Sequence, residues 1–279
     1  MKRLGPRVEE KVARVGLWAL TLITVGVLFF IIFFILRRGL PVLSLEFLTA
    51  NPADMGKSGG IFSTIVGTAA LTVLALLIAA PLGVGTAIFL TEYTWGGPVT
   101  RIIRFGAECL AGIPSIIFGL FGFILFVTKL KLGWSILSGG LTLAFMLLPT
   151  IIRTSEEAIK GVPPAYRQVS FSLGSTKWQT VTRVVLPSAM PGIVTGIVLS
   201  IGRSIGETAA TIFTAGSALR FPTSIFSSTR TMSVHFYILA REGISMSKAY
   251  GTAAILIIAI LGINVLTYYL MNRFIKKYS

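Results

Sequence analysis

The sequence predicts an all-α integral membrane protein of six transmembrane helices, with a structured loop between the fourth and the fifth. Three observations carry that prediction. The 279 residues are 54% hydrophobic and only 13% charged, with mean hydropathy +0.84; soluble domains carry about a quarter charged residues and need them to cover a water-facing surface. Apolar runs recur along the chain at lengths that approach or exceed the ~20 helical residues needed to cross a hydrocarbon core. The 25 lysines and arginines mostly flank those runs, so the net charge of +15 points to anionic lipid headgroups rather than to nucleic acid.

Residues 1–16, with Lys2, Arg3, Arg7, Lys11 and Arg14, are expected to form a cytoplasmic N-terminal segment. The first run, 17–36, is longer than a signal-peptide core. It is followed by Arg37 and Arg38 rather than by a small-x-small cleavage site, and reads as a retained span. The second run, 61–90, carries Pro81; the third, 105–127, contains the break Ile113-Pro114-Ser115; the fourth, 135–152, ends near Pro149. The fifth covers 191–215 and the sixth 248–271. No repeat or low-complexity tract divides them, so 17–279 reads as one membrane domain. Pro81, Pro114 and Pro149 are expected to kink helices and to free carbonyls that line a path. With the N-terminus inside, 15 basic residues fall in inside segments and 9 in outside ones, which places both termini in the cytoplasm.

Residues 153–187, RTSEEAIKGVPPAYRQVSFSLGSTKWQTVTRVVLP, are too polar to span. Pro163 and Pro164 open a short helix, since proline's missing N–H is harmless in a first turn. Tyr166, Val169, Phe171 and Leu173 make that helix partly apolar, and Gly174 is placed for a left-handed C-cap. Ser175 or Thr176 caps a second helix running through Val185, which Pro187 halts. Such a pair either offers a surface that a partner grips or rests on lipid headgroups. Spacing alone leaves both open.

Inside the fifth run lies GRSIGETAATIFTAG, residues 202–216. Arg203 follows Pro191 by about 18 Å of helical rise, near mid-membrane, where a charge costs at least roughly 3 kcal/mol. Glu207 is expected one turn further on, on the same face. Thr211 shares that face and is preferred to Thr208 as a nearby hydroxyl. Gly192/Gly196 and Gly202/Gly206 have the small-xxx-small spacing of close helix contacts. The pair Arg203–Glu207 either lines a pathway or fixes helix register against a neighbour. Elsewhere, Arg104 is expected to pair with Glu108, and Glu92 with Arg101 or Arg104. Glu156 and Glu157 are expected to be solvated or to touch a partner, Trp178 to pack within the loop, and His235 to sit at the membrane interface.

Cys109 and His235 are the only residues of their kinds, which excludes an internal disulfide and a cysteine or histidine metal cluster. No Gly-x-x-x-x-Gly-Lys-Ser/Thr occurs, so the chain does not hydrolyse ATP through a P-loop, and the stretches Thr154-Ser155-Glu156 and 203–207 are poor evidence for a catalytic serine, which leaves an enzyme reading weak. The sequence therefore reads as a non-catalytic subunit. A stand-alone channel or secondary transporter is the alternative; it should show inverted repeats or several midplane charges.

The loop resembles the EAA loop of bacterial ABC-importer permeases. Gly174 is followed by nine residues and then by Val184, Val185, Leu186 and Pro187, matching that family's glycine-to-proline spacing, while Gln168, Val169 and Ser170 occupy the Glu-Ala-Ala positions. More widely, GGIFSTIVGTAALTVLALLIAAPLGVGTAIFLTEY, AGIPSIIFGLFG, LPTIIRTSEEAIKGVPPAYR and GRSIGETAA together are similar to the A-type permease of phosphate ABC importers. The resemblance implies a type I importer fold and a multi-pass location in a bacterial or archaeal plasma membrane. It implies as partners a C-type permease, two copies of a cytoplasmic ABC ATPase and an extracytoplasmic phosphate-binding protein. It also implies a loop helix that inserts into a groove of the ATPase, which alone uses ATP and Mg, so that this chain binds no cofactor. Arg203 would then attract phosphate, with Glu207 holding the guanidinium or accepting a proton from hydrogen phosphate. A permease for another oxyanion or small solute is the alternative the loop itself allows.

Overall fold

The computed structural model describes residues 6–94 and 96–278; the expected basic residues Lys2 and Arg3 lie outside them. Along the chain, α1 (Pro6–Gly39) leads to a short α2 (Leu45–Thr49), N-capped by Ser44, whose Oγ accepts from Phe47 N at 3.0 Å. A two-residue hairpin follows, β1 (Pro52–Ala53) antiparallel to β2 (Ser58–Gly59), with Pro52 opposite Gly59. Next, α3 (Phe62–Ile88) continues directly into a π-helical turn, Phe89–Tyr93. The amphipathic α4 (Pro98–Ala111) precedes α5 (Ser115–Gly122), which is extended by a π-helical stretch, Phe123–Lys129. Ser135 caps α6 (Ile136–Lys160). A short α7 (Pro164–Ser172) and α8 (Lys177–Thr180) are followed by the π turn Val181–Val185 and by α9 (Leu186–Gly206). The chain ends with α10 (Ala209–Thr214), α11 (Met232–Arg241) and α12 (Met246–Tyr278).

Five of these segments are long and apolar enough to cross a membrane: Glu10–Val42, Phe62–Tyr93, Ile136–Lys160, Lys177–Gly206 and Met246–Tyr269. The third expected span is different. In place of one helix over 105–127, Pro98–Ala111 and Ser115–Lys129 meet at 104° and make a sixth crossing only as a bent pair. Pro114 causes the bend, because a proline cannot donate to the preceding turn and drives the residue before it out of helical geometry.

The core forms where α3 and α6 pack side by side with α5 and α10 against them. Leu71, Ala75 and Ala79 meet Leu143, Leu147 and Ile151, all nearly inaccessible. A second cluster joins Ile159 and Val162 at the end of α6 to Val185, Ala189 and Ile193 on the following span. By contrast the α1 span is unburied along its most apolar stretch.

The expected loop over 153–187 also changes. Residues 153–160 are the last turns of α6, and the second loop helix does not stop at Pro187 but runs through it, giving one element from Lys177 to Gly206. The π turn ahead of Pro187 widens the backbone there, so a proline ring that an α-helical turn would reject is accommodated. Pro81, Pro149 and Pro191 likewise lie inside continuous helices.

Candidate functional site

Two places in the fold can do work: a break in the fifth span, and the loop joined to α6. At the break, α9 ends at Gly206, and Glu207 has the extended backbone φ −73, ψ 126. Glu207 is therefore not one helical turn beyond Arg203 on a shared face. Its carboxylate turns back and accepts from Ala210 N at 3.2 Å, capping α10, while its carbonyl accepts from Thr211 Oγ1 at 2.9 Å and Ser233 Oγ at 2.7 Å. Among the described residues no Arg203–Glu207 ion pair forms, and Arg203 is exposed on the side of α9.

Thr211 is completely buried, and its hydroxyl donates to the carbonyls of Glu207 and Thr208. It closes the backbone at the break and faces no open path. Thr208 instead lines a cleft of about 1030 Å³ with Trp134, Ser217, Ser228, Tyr237 and Arg241. The Arg241 guanidinium donates to Tyr237 Oη at 2.9 Å and lies 5.6 Å from that ring's centre. The short α10 is held against α5 at Gly119, where an added Cβ would come within 2.9 Å of Ala210 Cα and 3.0 Å of the Ala209 carbonyl. Only glycine permits that approach.

The small residues of α9 divide into two sets. Gly192 and Gly196 pack on Ala158 and Thr154 of α6, whereas Gly202 and Gly206, flanking Arg203, have no neighbour in this chain close enough to need a glycine. Leu199 on the same stretch is 57% exposed. The chain thus presents an uncovered face of α9 with an arginine at its centre.

At the other place, Gly174 takes φ +78 just after α7, a left-handed residue that ends the helix and turns the chain. Thr176 and Gln179 form a reciprocal capping box on α8. Gln168 and Val169 face outward, as do Tyr166, Phe171 and Leu173, while Ser170 faces inward and shares a hydrogen bond of 2.9 Å with Thr180. Trp178, expected inside the loop, is 62% exposed. Tyr166, Val169, Leu173 and Val184 border an open groove of about 530 Å³. Leu186 and Pro187 belong to the first turn of α9, and Leu186 packs on the Ile159–Val185 cluster.

The ion pairs differ from those expected. Arg104 meets Glu156, not Glu108, at 2.7 Å, and Lys160 meets the same carboxylate at 2.7 Å; Glu156 is buried between them. Glu92 pairs with Arg167 at 2.7 Å rather than with Arg101 or Arg104. Sequence reasoning left Arg167 without a role. The signal available was Glu92, an acid at the end of a long apolar run with no basic residue one turn away. His235 is fully buried in α11 against Gly56, and burial, then the charges of Arg230 and Lys248, pull its pKa down to about 4. Among the described residues no group of three or more His, Cys, Asp or Glu side chains is placed to hold a metal.

Residues 79–279 match the family described as binding-protein-dependent transport system inner membrane component. The chain belongs to this family. The probable ABC transporter permease protein YqgI of Bacillus subtilis (strain 168) is 33% identical over 260 residues, 88% of each chain. The phosphate transport system permease protein PstA of Mycobacterium leprae (strain TN) is 32% identical over 210 residues, 74% of this chain and 69% of that one. In fold, the chain is similar to the solved structure of a bacterial alginate ABC transporter in complex with alginate pentasaccharide-bound periplasmic protein. The TM-score is 0.66 at 16% identity, covering 96% of this chain and 98% of that one. The permease is thus an all-α, multi-pass membrane subunit with the architecture of ABC importer permeases.

Proposed function

We propose that this permease is the A-type subunit of an ATP-driven phosphate importer and forms half of the translocation pathway. The observation that carries the substrate is the likeness to the Mycobacterium leprae protein across about three quarters of the chain. The site chemistry is compatible with it. An exposed guanidinium on an uncovered helix face offers the planar fork that suits a tetrahedral oxyanion, and Glu207 stands beside a discontinuous helix of the kind that lines transporter sites.

In this reading a C-type permease covers the open face of α9, and Arg203 and Glu207 border the path between the two subunits. Thr211 fixes the backbone there. Gln168, Val169, Ser170 and Gly174 shape the loop that docks into a cytoplasmic ABC ATPase dimer, and Leu186 and Pro187 join that loop to α9. ATP and Mg are used by the ATPase, and this chain holds no cofactor. An extracytoplasmic phosphate-binding protein delivers the anion, the loop and both termini lie in the cytoplasm, and the membrane is the bacterial or archaeal plasma membrane. Closure of the ATPase pair draws the loops together and opens the opposite side, an alternating-access cycle.

The test is binding-protein-dependent, ATP-driven phosphate uptake in proteoliposomes, comparing the unmodified chain with Arg203→Gln and Glu207→Gln. The expected result is intact assembly and ATPase stimulation with lost uptake in both variants. Uptake of sulfate or another solute in place of phosphate would reassign the substrate, and normal uptake in both variants would remove the pair from the pathway.

A further inference from the structure

Loop movement has to reach the break at Glu207 through this chain, and the contacts on the inward side of the loop indicate how. Arg167 of α7 points away from the exposed apolar residues. Its Nη2 and Nε donate to Glu92 Oε1 at 2.7 and 3.1 Å, its Nη1 to the Val162 carbonyl at 2.8 Å, and its Nη2 to the Ile159 carbonyl at 3.0 Å. One side chain therefore joins the loop helix, the end of α6 and the end of the α3 span. On the other arm of the loop, the Lys177 ammonium lies 5.1 Å from the centre of the Tyr93 ring. Two cations, one on each arm, thus grip consecutive residues at the end of one span, and the arms are tied together by Ser170 and Thr180.

The ion pair is shielded, with Glu92 10% and Arg167 21% exposed, unlike Glu10–Arg14 at 69% each. A shielded, multiply hydrogen-bonded pair holds one geometry, where an exposed pair exchanges freely with water. From Glu92 the span runs about 30 Å of helix to Thr72. There Thr72 shares a hydrogen bond with Ser204, next to Arg203. One turn on, Thr68 Oγ1 accepts from Met232 N at 2.9 Å in the first turn of α11, and the neighbouring Ser233 holds the Glu207 carbonyl.

We propose that Glu92 and Arg167 form a latch that fastens the loop to α3, so that α3 carries the loop's movement to the break at Glu207. The proposal rests on the ATP-coupled reading above but not on the substrate. Arg167 is a positioning residue: it acts through Glu92 and touches no transported solute. Docking is assigned to the outward residues, so loss of the latch separates ATP hydrolysis from movement at the break.

The test uses the full complex with Cys109→Ser and a reporter Thr208→Cys, reconstituted in proteoliposomes. The rate of modification of residue 208 by a membrane-impermeant maleimide is measured with and without ATP and Mg. With the latch intact, nucleotide is expected to change that rate by about fivefold or more, the range of ordinary allosteric coupling. Glu92→Gln and Arg167→Gln should each reduce the change to below about twofold while the ATPase still co-purifies and hydrolyses ATP, and the double variant should be no worse than either alone. Arg167→Lys should restore part of the response.

Full nucleotide response in the two glutamine variants would overturn the proposal, as would additive effects in the double variant. Loss of ATPase co-purification would reduce the pair to a builder of the docking surface. A reporter that ignores nucleotide in the intact complex would also overturn it, because no movement would then reach the break. The readout contains no phosphate, so a failed uptake assay overturns the substrate assignment and leaves this result standing.

Discussion

Thr72 of α3 and Ser204 of α9 share a buried hydrogen bond of 3.1 Å, one residue from Arg203. Two hydroxyls facing each other between apolar helices fix how α3 and α9 pass and hold the arginine-bearing turn in place. Removing one partner strands the other in a site that water does not reach, at a cost of about 1–3 kcal/mol. Thr72→Val and Ser204→Ala are each expected to lower the melting temperature of the purified complex, and the double variant to lower it by less than their sum. Thermal unfolding of all three variants checks the cycle.

Gly119 allows α5 to touch the backbone of α10. Gly119→Val should displace α10 and cost about 1–3 kcal/mol, the usual penalty of overpacking. Gly106, in α4, has open space around its Cβ position; Gly106→Ala should be neutral or stabilise by roughly 0.5–1 kcal/mol through helix propensity. Melting temperatures of the two variants, compared side by side, separate packing from backbone preference.

Thr211 and Thr208 should behave in opposite ways. Thr211→Val removes the hydroxyl that spans the carbonyls of Glu207 and Thr208, and is expected to destabilise by about 1 kcal/mol. Thr208→Val alters the wall of the cleft and should leave the melting temperature nearly unchanged while reducing uptake. Paired uptake and unfolding measurements read the difference.

His235 ties stability to pH. Its pKa falls from 6.5 to about 4 on folding, so below about pH 6.5 the unfolded chain takes up a proton that the folded one refuses. Stability is expected to be full above pH 6.5, to decline as pH drops from 6.5 toward 4, and to level off below. The total is at most about 3 kcal/mol. His235→Gln should flatten that part of the profile, as measured by the melting temperature across pH 4–8.

Much of the fold is legible in the sequence because oil-facing segments advertise themselves: the run at 17–36 falls within a structural span, and those at 61–90 and 248–271 overlap one almost entirely. The errors sit where tertiary contacts override a local rule. Pro187 reads as a stop, yet the π turn over Val181–Val185 lets the helix pass. Arg203 and Glu207 read as a helical pair by spacing, but helix-period reasoning fails once the helix ends at Gly206. Arg167 and Glu92 lie 75 residues apart, so no pattern of nearby residues could pair them. The loop's glycine elbow was readable because a left-handed residue after a short apolar helix is a local requirement.

The uncovered face of α9 has a consequence for the life of the protein in a cell. Alone in a bilayer, the chain would turn a guanidinium and the open side of Gly206 toward acyl chains, a defect worth at least a few kcal/mol, roughly. A copy that finds nothing to cover that face carries a standing mark of being unassembled. Covering the face removes that cost, so the membrane itself would favour the assembled state over the lone chain.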